Sequence, residues 1–312
     1  MDPSVRIQCE WWESYGPLYN QLFDFDWQEA YPGNAAVPWT LGRLPGSAAE
    51  PPETMLQELS RVLEYKEFLS QFTVQQLRTR YRASLLGFFW TLLNPILTCL
   101  VLSIVFSYIN RWNLSTTGMY FFAGYIPWTF FLVATSSATF AIVGNANYVN
   151  RICIPRAIFP ISTTLVNLAD LCAGMLVVMV FMAIFGGHFT PALATLPLAM
   201  VLMGTFVLGL SFLFAAVNVF LRDFQFLWAS VSFLWFFFTP ILYRISVIPP
   251  AVRPYFEMNP VLPFIRLFQQ PISDGVVPSM ETFGLAVLYS ILAVGVGVPA
   301  FFRSERSFYL YL

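Results

Sequence analysis

Few residues in this chain are equipped for covalent chemistry. Of 312 residues, one is lysine, Lys66, and one is histidine, His188. A loop that cradles nucleotide phosphates needs glycine followed by Lys and then Ser or Thr, because backbone amides hold the phosphate and the lysine reaches its terminal oxygens. Lys66 stands between Tyr65 and Glu67, so the polypeptide has no such grip on ATP. A lone histidine rules out paired-histidine metal sites and argues against a histidine-based triad. His188 falls in the short segment GGHFTP, read as an exposed loop. Cys9, Cys99, Cys153 and Cys172 are far apart, fit neither a disulfide framework nor a metal-binding spacing, and read as packing residues. What remains is cationic. Two segments, Arg80 to Pro95 (RYRASLLGFFWTLLNP) and Gly144 to Pro160 (GNANYVNRICIPRAIFP), each join an arginine-bearing polar stretch to an apolar run. Such junctions suit a soluble partner pushing on a membrane bundle, and the chain reads as a transport subunit without its own motor.

The elements that must position those arginines are membrane spans. The chain is 57% hydrophobic and only 11% charged, with a mean hydropathy of +0.65, whereas globular chains are about 25% charged. A bilayer core takes about 20 mostly apolar residues per helix, since hydrocarbon leaves no partner for an open backbone group. Six segments qualify: Phe88–Ile109, Tyr120–Val143, Leu165–Phe185, Leu193–Phe220, Phe226–Tyr243 and Phe283–Phe302, the fifth being shortest and containing Pro240. The fold expected is an all-α integral membrane protein. Arg61, Lys66, Arg78, Arg80, Arg82, Arg151, Arg156, Arg222, Arg303 and Arg306 flank one side of these spans, and only Arg111, Arg244, Arg253 and Arg266 the other. Basic residues are retained in the cytoplasm, so both termini are expected inside.

Three organised units follow. Residues 1–60 carry nine acids against two bases and include Trp11, Trp12, Trp27 and Trp39, an acidic extension read either as a docking arm or as a partly disordered one. The first residues, MDPSVRIQCEWWES, lack a basic and then apolar run, so no cleavable signal is expected. Residues 61–84 read as an interfacial amphipathic helix: Val62, Tyr65, Leu69 and Phe72 recur at helical spacing, then Val74, Leu77, Tyr81 and Leu85 do so on a different side. That rotation predicts a bend near Thr73, with Arg78, Arg80 and Arg82 at the lipid headgroups. Residues 85–312 form the six-span domain. Asp170, one turn after Asn167, is the sole ionisable candidate within a span, and it predicts either a polar contact between helices or a part in a translocation route. Between spans five and six a proline-rich stretch holds Pro260–Ile272, apolar but too short to cross, the pattern of a re-entrant element or of a plain loop.

Four motifs in order, RYRASLLGFFWTLLNP, GNANYVNRICIPRAIFP, AAVNVFLRDFQFLWASVSFLWFFFTPILY and MNPVLPFIRLF, resemble the permease subunits of type 2 ABC transporters that export O-antigen, capsule or teichoic acid. The likeness runs from about Lys66 to Ser307, and residues 1–60 exceed the short leader such permeases have. It implies a homodimer of six-helix subunits in the bacterial inner membrane, paired with two copies of a separate ATPase that binds ATP and Mg, moving a glycan on a lipid carrier. No enzyme activity, no cofactor on this chain and no nucleic acid partner are expected. In that family an amphipathic helix precedes the first span, the first cytoplasmic loop docks on the ATPase, and short helices enter from outside between the last two spans.

The resemblance gives the two arginine segments roles. Arg151 and Arg156 are the expected contacts to the ATPase, with topological anchoring as the plainer reading, and Asn145, Asn147 and Asn150 are expected caps or turn formers. Trp90, Phe131, Trp228, Trp235 and Phe236 are candidates to line a glycan channel, since aromatic faces contact sugars with few directional bonds. Within the same class the alternative is an exporter of a small lipophilic compound or drug. Outside it stand an ion-coupled carrier and a membrane-embedded sugar transferase.

Overall fold

The computed structural model describes residues 61–81, 114–151, 154–185 and 189–305, with isolated positions between 93 and 108 and at 187, 307, 308 and 311. Every described element is helical: α1 (Lys66–Tyr81), α2 (Leu114–Thr139), α3 (Ala146–Arg151), α4 (Ile158–Phe185), α5 (Leu196–Phe220), α6 (Phe224–Phe238), α7 (Arg253–Glu257), α8 (Leu262–Gln269) and α9 (Met280–Glu305). Four stretches among them are long and apolar enough to cross a bilayer: Gly118–Thr139, Ile158–Ile184, Pro191–Phe220 and Met280–Glu305. They overlie the second, third, fourth and sixth expected spans. The first expected span, Phe88–Ile109, lies largely outside the described residues. The fifth is α6, whose 15 residues rise about 22 Å, short of a hydrocarbon core of about 30 Å.

Local chemistry sets the helix limits. α4 starts seven residues before the expected Leu165, because Pro160 falls in its first turn, where the missing N–H would have had no partner. α6 stops at Phe238 because Thr239 turns to an extended conformation ahead of Pro240. Between α5 and α6 only Leu221, Arg222 and Asp223 reverse the chain.

The helices are not equivalent. The apolar window of α2 is 78% buried and that of α9 only 28%, so α2 is the central post and α9 stands at the rim. α2 packs on α4 and α5 along its length and on α8 and α6 at the sides, while α9 lies along α5. Lipid is as apolar as a leucine side chain, so helices in a bilayer associate through close packing rather than through expulsion of water. The α5–α9 crossing shows how close: a Cβ placed on Gly297 would overlap the Gly209 carbonyl, and one on Gly209 would overlap the Ala293 backbone. Ser290 adds a bond across the crossing, donating from Oγ to the Leu202 carbonyl at 3.0 Å.

Among the described residues, two large hydrophobic clusters and a small third one, Tyr120, Phe121 and Leu242, divide the bundle. The larger surrounds α2 and reaches α8, including Phe131, Phe206, Trp228, Phe264 and Phe268. The second gathers where α2 and α5 end and α4 begins, and it joins Val62 and Phe72 to Ile142, Phe159, Phe212, Phe301 and Phe308. The bundle thus has an α1 end and an α8 end.

Candidate functional site

The α1 end holds the arginine segments. α1 lies against α4, and its contact face runs Leu69, Phe72, Gln76, Arg80 at helical spacing. Leu69 and Phe72 enter the second hydrophobic cluster, with Phe72 edge-on to Phe159 at 5.5 Å and to Tyr148 of α3 at 5.9 Å. One turn on, Gln76 Nε2 donates to Ser162 Oγ at 3.2 Å. A further turn on, Arg80 Nη1 donates to Asp170 Oδ2 at 2.5 Å and to Asn167 Oδ1 at 3.4 Å. The expected bend near Thr73 is therefore corrected: α1 is unbroken from Lys66 to Tyr81, and the helix is interrupted only at Tyr65. The face does not rotate at Thr73. It changes from apolar to polar while staying on α4, with Val74 exposed on another side and Leu77 half-buried. Thr73 itself spends its hydroxyl on the Leu69 carbonyl at 2.7 Å.

Asp170 thus makes an interhelical contact, with side-chain exposures of 35% for Arg80 and 15% for Asp170. The pair sits at an edge where water still reaches the guanidinium, so burial does not cancel its attraction. Arg78 is exposed, and Arg82 lies outside the described residues.

The Gly144–Pro160 segment folds as a short 3-10 turn, Val143–Asn145, followed by α3. Asn145 Nδ2 donates to the Ala141 carbonyl at 2.9 Å, which closes that turn. Asn147, Asn150 and Arg151 lie on α3, and their side chains fall outside the description. Arg156 is a strut: its guanidinium donates to the Glu305 carbonyl at the end of α9, and its backbone N–H donates to Glu305 Oε1 at 3.3 Å. A helix C-terminus leaves carbonyls without partners, and a cation there satisfies both the bond and the dipole. A third arginine closes the adjacent reversal, where Arg222 Nη2 donates to the Tyr311 carbonyl at 3.2 Å. Phe308 sits fully enclosed between Phe220 and Phe301.

The aromatic candidates sit toward the middle. Phe131 is fully buried and contacts Trp228 at 5.9 Å and Trp235 at 6.1 Å. Trp228 is nearly enclosed and donates from Nε1 to Thr135 Oγ1 at 3.1 Å. Trp235 and Phe236 are half-buried, and Trp90 lies outside the described residues. Within one subunit Phe131 and Trp228 face neighbouring helices, and the outward faces of α6 belong to Phe226, Leu227, Phe233, Leu234 and Phe237.

Sequence reasoning passed over Gln76, Glu305 and Tyr148, and it used Arg222 only to set orientation, without its bond to Tyr311. Gln76 had a signal, since it continues the Leu69–Phe72 face; the others depend on contacts far along the chain. Among the described residues no group of three or more His, Cys, Asp or Glu gathers as a metal site would require.

The order of motifs on this scaffold agrees with a known family, whose profile matches residues 68–272. The chain belongs to the ABC-2 type transporter family. In this ABC-2 type chain the match begins inside α1 and ends in the turn after α8, ahead of α9. It is similar to the O-antigen export system permease protein RfbA of Myxococcus xanthus, 27% identical over 254 residues, 81% of this chain and 97% of the relative. The protein of the same name from Klebsiella pneumoniae is 25% identical over 245 residues, 78% of this chain and 93% of the relative. The capsule polysaccharide export inner-membrane protein CtrC of Neisseria meningitidis is 23% identical over 253 residues, 80% of this chain and 95% of the relative.

Proposed function

We propose that this chain is the permease subunit of an ABC exporter that carries a lipid-linked polysaccharide across the bacterial inner membrane, driven by ATP hydrolysis in a separate subunit. The observation that carries the reading is its similarity, over nearly their whole length, to permeases named for O-antigen and capsule export. The four spans and the absence of any glycine-lysine phosphate grip in the sequence agree with a translocating subunit that borrows its motor. The finer architecture read here has six spans, with Phe88–Ile109 first and Phe226–Tyr243, α6 and the chain that follows its break, as the fifth, and α7 and α8 as short helices entering from outside. Two such subunits pair with two ATPase copies, which bind the ATP and Mg. The α1 end is taken as cytoplasmic, because Arg61, Lys66, Arg78, Arg80, Arg151, Arg156, Arg222 and Arg303 gather there. Residues 1–60 then form a cytoplasmic extension.

In this reading the ATPase docks on α3, and nucleotide binding favours the state in which that contact is tighter, since a ligand shifts an equilibrium only through differential contact. α3 touches α1 through Tyr148 and Phe72, and α1 is bonded to α4, so displacement at the loop reaches the span by side-chain contact. Arg151 is the residue assigned to the ATPase surface. Arg156, engaged with α9, transmits rather than docks. Phe236 and Trp235, half-buried on α6, are the candidates for the channel wall.

Deleting the gene and locating the lipid-linked glycan tests the function. Accumulation on the cytoplasmic face is expected, and loss of glycan synthesis would sink it. Arg151→Ala is expected to weaken ATPase binding while insertion stays normal.

A further inference from the structure

The α8 end contains a joint whose parts are held unequally. α6 breaks at Phe238–Pro240, and a broken helix at membrane depth must have its freed polar groups met by protein. The Pro240 carbonyl is met twice, by Tyr120 Oη at 2.9 Å from α2 and by Gln269 Nε2 at 3.3 Å from α8. α8 itself is buried along nearly its whole length. That half of the joint is fixed to the core.

The other half is α7, and its buried polar anchor is one residue. Asn259 Oδ1 accepts from Trp235 Nε1 at 2.9 Å and from the Val261 N–H at 3.0 Å. Its Nδ2 donates to Thr239 Oγ1 at 2.9 Å. Asn259 is 6% exposed, so none of these bonds has water as a ready substitute. By contrast, α7 packs extensively on no other described helix, and Tyr255 and Met258 are 67% and 74% exposed. Its other ties are the Phe256–Phe238 stack at 4.8 Å, an edge contact of Phe256 with Tyr243 at 6.5 Å, a bond from Arg253 Nη2 to the Ile248 carbonyl at 3.3 Å, and a half-exposed Arg266–Glu257 pair at 3.5 Å, and ion pairs open to water hold little. An open cavity of about 340 Å³ lies between α6 and α7, lined by Val231, Leu234, Trp235, Tyr255 and Met258.

The geometry points to Asn259 as a latch, a positioning residue that fixes α7 to the last turn of α6, so that releasing it lets α7 swing over the cavity while α8 stays in place. Its coupling to export rests on the function proposed above. Asn259 acts through the groups it holds, so its role is one of position; Trp235 is also a channel-wall candidate, so exchange over α7, rather than export, is the readout that judges Trp235→Phe. Losing the amide removes donor and acceptor together, whereas Asn259→Asp keeps the acceptor for Trp235 and Val261, loses the donor to Thr239 Oγ1 and the Phe238 carbonyl, and puts a carboxyl group in the amide's place.

The test uses the full chain reconstituted with its ATPase. Hydrogen exchange over residues 252–261 is compared for wild type, Asn259→Leu, Asn259→Asp and Trp235→Phe, alongside ATP hydrolysis and glycan export. Expected are at least tenfold faster exchange in Asn259→Leu, smaller rises in Asn259→Asp and Trp235→Phe, unchanged exchange over residues 262–269, and export falling at least fivefold while hydrolysis continues. Exchange within twofold of wild type in all three variants would overturn the latch, as would loosening of α8 together with α7. A wild-type chain that neither engages the ATPase nor exports glycan would instead refute the functional reading, and the exchange data would still judge the latch.

Discussion

The two ends of the bundle are joined by different kinds of bond. At the α1 end, arginines do the joining: Arg80 to Asp170, Arg156 to the end of α9, and Arg222 to the Tyr311 carbonyl. The α8 end has ion pairs as well, Arg244–Asp274 at 3.1 Å and Arg266–Glu257 at 3.5 Å, but the bonds that close the broken α6 are neutral, from Tyr120, Gln269, Trp235 and Asn259 to Pro240, Thr239 and one another. A guanidinium on a long stem can follow its partner through a displacement and keeps a water-facing side; a buried amide or phenol holds one geometry. The α1 end is thus built to tolerate movement of what it holds, and the α8 end to move only by breaking specific bonds.

Between the ends the α5–α9 crossing serves both, and the largest effect is expected there. Gly297→Val drives a side chain into the Gly209 backbone. Overpacking costs about 1–3 kcal/mol when side chains give way, and backbone gives way less, so the yield of monodisperse protein and its thermal midpoint should collapse. Retained stability would mean that the crossing does not organise the two ends.

Asp170→Ala comes next. It strands Arg80 at a partly exposed site, and after allowance for solvent screening the loss is about 1–2 kcal/mol. In a double-mutant cycle with Arg80→Ala the coupling should shrink as salt rises to 1 M, where the screening length is about 3 Å. Tyr120→Phe removes a donor from the Pro240 and Tyr243 carbonyls for about 1 kcal/mol, and that cost should be indifferent to salt. Both measured by thermal unfolding of the solubilised protein, an equal response to salt would erase the contrast between the ends. Arg78→Ala should change stability by less than about 0.5 kcal/mol, because the side chain is exposed. Any larger loss would extend the arginine joinery beyond Arg80.

Legibility in the sequence followed range of interaction. The spans Tyr120–Val143, Leu193–Phe220 and Phe283–Phe302 were readable within a few residues, because unbroken apolar length is a local property. The start of α4 was obscured by Pro160 and by the polar run Ser162, Thr163 and Thr164, which are buried and bonded inside the bundle. Asp170 was readable as an interhelical contact, but its partner was not, since Arg80 lies 90 positions earlier. The apparent rotation at Thr73 came from assuming that a contact face must stay apolar; Gln76 and Arg80 continue it with polar bonds. Asn259 as an anchor was invisible for a related reason: Trp235 and Thr239 reach it only when α6 breaks and folds back.

Gly209 and Gly297 bring two main chains into direct contact, and this restricts the kinds of rearrangement open to the subunit. Neither helix can slide lengthwise past the other without one carbonyl climbing over its neighbour, so α5 and α9 form a single mast. Whatever travels must be rigging hung on it.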